Sequence, residues 1–135
     1  MRNFLVSFIS ILLFMVVIDA FWLTTMYKRF YLPQIGHLLN DSPKLIPAVI
    51  FYLIFASCLS LLVILPAFND QVSYQEVIIK GILLGLVTYA TYDLTNQATL
   101  RQWPTLVTVV DLVWGGFLTG VVSFLSYCVL KYFNP

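Results

Sequence analysis

The sequence predicts an all-α fold, an integral membrane bundle of four transmembrane helices with both termini on the same side of the membrane. Hydrophobic residues make up 61% of the chain and charged residues only 10%. The mean hydropathy is +0.93, which is more apolar than a water-soluble domain tolerates on its surface. The 135 residues leave room for about four spans of roughly 20 residues each. We therefore expect one transmembrane domain over residues 1–135.

The first span is predicted over residues 4–25, an apolar run that follows a short basic start. A cleaved secretory signal is the alternative, with cleavage after Ala20. Asp19 would then lie within the cleavage site, and apolar sequence continues beyond it, so we interpret the run as a span. Residues 26–45 mix cationic and aromatic side chains and are predicted to form an interfacial loop.

Three further spans are predicted over residues 46–65, 77–98 and 104–130. Ser42 and Pro43 are typical of a helix N-terminus and predict the start of the second helix. Pro66 predicts its end, and Pro104 predicts the start of the fourth helix. Four spans return the chain to its starting side, which we call the terminal side. The opposite side, which holds the bend at Arg101, is called the bend side.

Charge does not orient this bundle and excludes one class of partner. Three of the seven Lys and Arg residues and the terminal amine are predicted on the terminal side, and four Lys and Arg residues on the bend side, so the positive-inside rule gives a tie. The net charge of +1 provides no basic surface for nucleic acid. The chain has no phosphate-binding glycine loop, nucleophile elbow or metal-binding motif, so no cofactor and no metal are predicted.

Three aspartates, Asp19, Asp93 and Asp111, are predicted to lie inside the spans at a common depth. Counting about six, five and seven residues from the bend-side ends of their helices, at about 1.5 Å per residue, places them roughly 8 to 10 Å deep. Each acid there costs roughly 2.5 to 3.5 kcal/mol on insertion scales. Such a cost indicates either a compensating partner or a site. We predict Asp93 and Asp111 as catalytic carboxylates, with Asp19 as a third.

Helical spacing and interfacial position select the residues that accompany the acids. Tyr89, Asp93 and Asn96 fall along one side of the third helix. Arg101 is the cation best placed to neutralise an acid or to hold a phosphate headgroup. The candidate substrate-binding residues are Tyr89, Tyr92, Asn96, Trp114, Trp22, Arg101 and His37.

Two internal patterns also bear on packing. Residues 16–22, VVIDAFW, and residues 108–114, TVVDLVW, share the D-x-x-W spacing on helices of opposite direction. An inverted repeat is one interpretation and chance is the other. Trp114 lies deeper than Trp22, so its indole N–H requires a partner and it is the better candidate for lining a cavity. The GxxxG pairs Gly81/Gly85 and Gly116/Gly120 are typical of close helix packing and are candidate homo-oligomer faces.

Several motifs resemble one family over nearly the whole chain. They are Asp19 with Trp22-Leu23, Phe30-Tyr31, Gly36-His37-Leu38-Leu39, Phe51-Tyr52, YDLTNQATLRQWP at 92–104 and VTVVDLVWG at 107–115. The sequence is similar to an uncharacterised family of small bacterial predicted membrane proteins, catalogued as domain of unknown function 2177. The resemblance implies a multi-pass protein of the bacterial inner (cytoplasmic) membrane and associates it with lipid-modifying proteins. It carries over no established activity.

Three classes of function remain open. The first is an enzyme or lipid-handling accessory that acts on a membrane lipid or apolar small molecule with an aspartate as general acid or base. A metal-dependent version would add His37 to the three aspartates. The second is a small proton- or cation-coupled transporter. The third is a non-catalytic assembly subunit in which buried, neutral aspartates fasten helices together. The interfacial depth of the acids favours the first.

Overall fold

The computed structural model describes residues 1–40 and 42–134, and this part of the chain forms helices and no strand. Its elements are α1 (Arg2–Met26), a π turn (Tyr27–Tyr31), α2 (Leu32–Ile35), a 3₁₀ turn (Gly36–Leu38), α3 (Leu45–Leu59), a second π turn (Ser60–Ile64), α4 (Leu65–Asn69), α5 (Tyr74–Thr99) and α6 (Thr105–Phe133). Consecutive elements join into longer helical stretches, and these stretches are the units that cross the membrane.

Four helical stretches are long and apolar enough to span a membrane, and the predicted four-helix fold is confirmed. They are Arg2–Leu38, Leu45–Asn69, Tyr74–Thr99 and Thr105–Phe133, with 37, 25, 26 and 29 residues. Each exceeds the roughly 20 residues that a hydrocarbon core of about 30 Å requires. The Arg2 guanidinium donates a hydrogen bond to the side-chain oxygen of Asn134. The two ends of the chain therefore lie together on the terminal side, as predicted.

The prediction that the first helix ends at Thr25 and that residues 26–45 form a loop was wrong. Helical backbone continues to Leu38, and we call residues 27–38 the arm. A π turn precedes Pro33, which therefore lies in the first turn of α2, where its missing N–H leaves no hydrogen bond unmade. The 25 residues of α1 already measure about 37 Å. That length already exceeds a hydrocarbon core of about 30 Å.

The second span, Leu45–Asn69, also continues past a proline by means of a π turn. A π turn over Ser60–Ile64 precedes Pro66, which lies in the first turn of α4, so the helix continues to Asn69 rather than ending at the proline. Its predicted N-cap at Ser42 was also wrong. The helix begins at Leu45 after Lys44, and no side chain of the described residues caps it.

Close contact between α5 and α6 holds the third and fourth spans together. A Cβ on Gly85 would lie 2.1 Å from the carbonyl oxygen of Gly115, and one on Gly81 would lie 2.4 Å from Ser123 Oγ. Gly116 and Gly120 face side chains of α5. All four GxxxG glycines are buried inside one chain, so they do not form the homo-oligomer faces that the sequence indicated. The oligomeric state itself stays a prediction.

We predict that Gly85→Ala destabilises the protein more than Gly116→Ala. The Gly85 methyl would meet backbone, which cannot move away, whereas the Gly116 methyl would meet the flexible Leu86 side chain at 3.3 Å. Each variant gains about 1 kcal/mol of helix propensity, so their difference isolates the steric cost. Unfolding in detergent, followed by circular dichroism, should give Gly85→Ala a free energy of unfolding about 2 kcal/mol or more below that of Gly116→Ala. Equal stability would contradict the described packing.

Candidate functional site

A cavity of about 270 Å³ opens between the arm and the bend-side ends of α1, α5 and α6. Seven aromatic, three aliphatic and two acidic residues line it: Asp19, Trp22, Leu23, Tyr27, Tyr31, Ile35, Leu39, Tyr89, Tyr92, Trp103, Asp111 and Trp114. Six of these recur at every fourth position from Asp19 to Leu39. Positions four apart drift around an α-helix, and the π turn, which holds more residues per turn, offsets that drift. The arm thus extends one face of α1 along the cavity.

Asp19 is held by two neutral donors from other helices. The Tyr52 hydroxyl of α3 donates to Asp19 Oδ2 at 2.5 Å, and the indole N–H of Trp114 on α6 donates to Oδ1 at 3.2 Å. The side chain is 8% exposed. Both carboxylate oxygens therefore have a hydrogen-bond partner, which offsets part of the cost of placing this acid in the membrane.

Asp111 is held from the arm. The Tyr31 hydroxyl donates to Asp111 Oδ1 at 2.5 Å, and the indole N–H of Trp22 donates to the Tyr31 oxygen at 2.9 Å. The three side chains form a hydrogen-bonded series from α1 through the arm to α6. This series ties the arm to the bundle over the cavity.

The two D-x-x-W segments meet in the cavity wall. Trp22 and Trp114 stack with ring centroids 4.1 Å apart and planes inclined by 9°. Each indole N–H is directed toward the acid of the other segment, that of Trp114 to Asp19 directly and that of Trp22 to Asp111 through Tyr31. The sequence similarity between the segments thus corresponds to a reciprocal arrangement of their acids and tryptophans.

Asp93 lies behind Asp111 and has no access to the cavity. Its exposure is 0%, and within the described residues no donor contacts either of its oxygens. Its carboxyl group lies beside that of Asp111. Ionised carboxylates only accept hydrogen bonds, so this pair can form one only when a proton lies between them. Within the described part of the chain the one ion pair joins Lys80 and Glu76, so no cation neutralises the aspartates.

The structure brings most of the predicted site residues together. Asp19, Asp111, Trp22, Trp114, Tyr89 and Tyr92 line the cavity, and Asp93 supports Asp111 from behind. Tyr89 can lie against α6 because Gly115 has no side chain; a Cβ there would come within 2.2 Å of its ring.

Three predicted binding residues do not line the cavity. Asn96 lies about one turn beyond Asp93 on α5, where its carbonyl accepts the N–H of Leu100 at 2.8 Å. Arg101 is exposed on the bend, and His37 is exposed near the end of the arm. The hypothetical metal site of His37 with three aspartates does not form, since no group of three or more metal-ligating side chains occurs among the described residues.

The sequence analysis did not select three residues of the site: Tyr31, Tyr52 and Trp103. Tyr31 fell in the supposed loop, so no depth was assigned to it. Tyr52 was not selected as a site residue, although it lies about seven positions after Leu45, or roughly 10 Å deep, at the level of the aspartates. Trp103 lines the cavity at the bend, donates to Thr108 Oγ1 at 3.1 Å and meets Tyr92 edge-on.

Comparison with known proteins identifies a family. A family model described as predicted membrane protein (DUF2177) matches residues 4–128. That range contains every residue of the cavity wall and the Asp93–Asp111 pair. No curated protein and no solved structure matches the chain.

We predict that Tyr31→Phe releases the arm. Loss of the Tyr31 hydroxyl removes a hydrogen bond to a carboxylate, which contributes about 1.5 to 3 kcal/mol. The equilibrium constant for local opening of the arm should therefore rise about tenfold or more. Trypsin should then cleave after Lys28 and Arg29, both exposed on the arm, about tenfold faster than in the wild type when cleavage follows local opening. Tyr27→Phe is the control, since no hydrogen bond of its hydroxyl occurs among the described residues. Equal cleavage of both variants would contradict the proposed restraint.

Proposed function

We propose that this chain, which belongs to the family described as predicted membrane protein (DUF2177), is a membrane enzyme that transfers protons to or from a lipid or other apolar substrate. One observation carries the proposal. Asp93 is fully buried without a donor, against an Asp111 carboxyl that lines a cavity near the membrane surface. A purely structural acid is expected to be satisfied by hydroxyl, amide or indole donors, as Asp19 is.

The carboxyl pair can act as a proton store. With one proton between them, Asp93 donates to Asp111, and the free electron pairs of Asp111 face the cavity. Asp111 can accept a proton from a bound substrate, which leaves the pair neutral and retains the bond electrons on the substrate. Return of that proton to the substrate or product restores the pair. General acid or base groups of this kind contribute about 10²- to 10⁴-fold to a reaction rate.

Asp19 supports this chemistry by its charge. It lines the same cavity, and Tyr52 and Trp114 donate hydrogen bonds to its two oxygens. A fixed carboxylate stabilises positive charge that develops on a substrate, and the interaction is stronger where water is excluded. We assign Asp111 to proton transfer, Asp93 to proton storage behind it, and Asp19 to electrostatic stabilisation.

The location of the site suits a substrate that enters from the membrane. Asp93 and Asp111 lie about six residues from the bend-side ends of α5 and α6, or about 9 Å deep. That depth is near the boundary between headgroups and acyl chains. A volume of about 270 Å³ is small for a drug-sized ligand. It accommodates a headgroup or a chain segment, while the rest of a lipid stays in the bilayer.

Proton-coupled transport is the competing proposal, since an intramembrane carboxyl pair can exchange a proton for a ligand. Alternating access is best served by a site near the bilayer midplane. The aspartates instead lie near one end of their helices, which favours the enzyme. Proton movement coupled to ligand uptake in proteoliposomes would reverse this preference.

We predict that Asp111→Asn abolishes the activity and leaves the fold intact. Lipids from cells that express the wild type, the variant or no protein should be compared by mass spectrometry. The expected result is at least one lipid species that changes with the wild type and does not change with Asp111→Asn. Asp70→Asn is the matched control, because Asp70 is exposed on the terminal side.

Circular dichroism of the purified variants separates this result from unfolding. Native helical content with lost activity supports the assignment. An Asp111→Asn protein that is folded and fully active would exclude acid or base chemistry at this residue. If Asp111→Asn and Asp93→Asn both fail to fold, the acids serve structure alone.

A further inference from the structure

The cavity is acidic and lacks an internal counter-ion. Two of its twelve lining residues are acids, and none is Lys, Arg or His. Within the described residues no cation pairs with Asp19, Asp93 or Asp111. Asp93 adds a fully buried carboxyl group, directed at Asp111, that has no donor. A positively charged ligand would supply the missing counter-charge.

Seven of the twelve residues that line the cavity are aromatic. Interfacial aromatic belts expose Trp and Tyr to the lipid headgroups. Trp114 is instead 9% exposed and stacks on Trp22, and Tyr89 is half-buried against Gly115. Tyr31 and Trp103 line the cavity from the arm and the bend. Aromatic faces that surround a space attract cations, and they recognise quaternary ammonium groups in particular.

We propose that the cavity binds an alkyl-ammonium group, with Asp111 and Asp19 as its counter-ions and the tryptophan and tyrosine rings as its walls. The proposal rests on the proposed function, because it names the ligand class of the same site. The volume of about 270 Å³ suits a trimethylammonium-sized group. Acidic residues alone would attract any cation, whereas the apolar walls select an alkylated one over a hydrated metal ion.

The surroundings of the cavity fit either source of such a group. Lys28 and Arg29 lie exposed on the arm between Tyr27 and Tyr31, which both line the cavity. Cations at this position suit a phosphate attached to the ammonium group, as in a phosphocholine headgroup. A free organic cation would use the cavity without them. The shared chemistry is the alkyl-ammonium group, and the experiment separates the sources.

Choline and its uncharged isostere 3,3-dimethylbutan-1-ol provide a matched pair of probes. The purified protein in a maltoside detergent is titrated with each, and tryptophan fluorescence reports binding next to Trp22 and Trp114. We expect saturable binding of choline and at least about tenfold weaker binding of the isostere. Asp111→Asn should weaken choline binding by about tenfold or more, and Asp70→Asn should leave it unchanged.

Nanodiscs identify the source. If the natural ligand is a lipid headgroup, phosphatidylcholine nanodiscs should compete with choline and phosphatidylglycerol nanodiscs should not. If it is a free cation, choline should bind equally in both. Equal binding of choline and its isostere, or binding of neither choline nor phosphatidylcholine, would overturn the proposal.

The two proposals can fail separately. Choline binding without any Asp111-dependent change in lipids would support the cation-binding site and contradict the proposed enzyme activity. A lipid change without choline binding would support the proposed enzyme activity and contradict the proposal that its substrate carries an alkyl-ammonium group.

Discussion

The contact between the Asp93 and Asp111 carboxyl groups is the constraint on which the bend-side half of the bundle depends. Neither acid has a cationic partner among the described residues, and Asp93 has no neutral donor. Burial makes two adjacent negative charges very costly, so the pair requires a proton or an external cation. The close approach of α5 and α6 at Gly85 and Gly115 keeps the two groups together. The geometry of the carboxyl pair therefore depends on the packing glycines.

The remaining elements surround this pair with donors and apolar walls. The reciprocal D-x-x-W segments place Trp22 and Trp114 face to face, and Tyr31 links the arm to Asp111. Asp19 differs because both of its oxygens are satisfied. The cavity is thus lined by Asp19, whose two oxygens both accept hydrogen bonds, and by Asp111, whose buried neighbour Asp93 has no donor among the described residues. Two acids in different environments are suited to different roles, as pairs of carboxyl groups in acid–base enzymes are.

The number of helices could be predicted because it depends on chain length and on the lengths of the apolar runs. The positions of Asp93 and Asp111 relative to the bend-side helix ends could be predicted because those ends were predicted to within one residue. Side-chain partners could not, because they depend on which faces the helices present to one another. The arm was missed because cationic residues and Pro33 indicated a loop, whereas a π turn allows the helix to continue past the proline. Because of that error, Tyr31 was not predicted as a site residue. His37 and Arg101 do not line the cavity, because position near the bend side does not determine whether a side chain points inward.

The proposed chemistry is tested most directly by detecting the proton that Asp93 and Asp111 share. Infrared spectroscopy of the purified protein, with exchange from H₂O to D₂O, detects the carbonyl stretch of a protonated carboxyl group. The wild type should show such a band in the absence of ligand, and both Asp93→Asn and Asp111→Asn should lack it, while Asp70→Asn retains it. A wild-type protein without this band, or a band that survives both substitutions, would contradict the account.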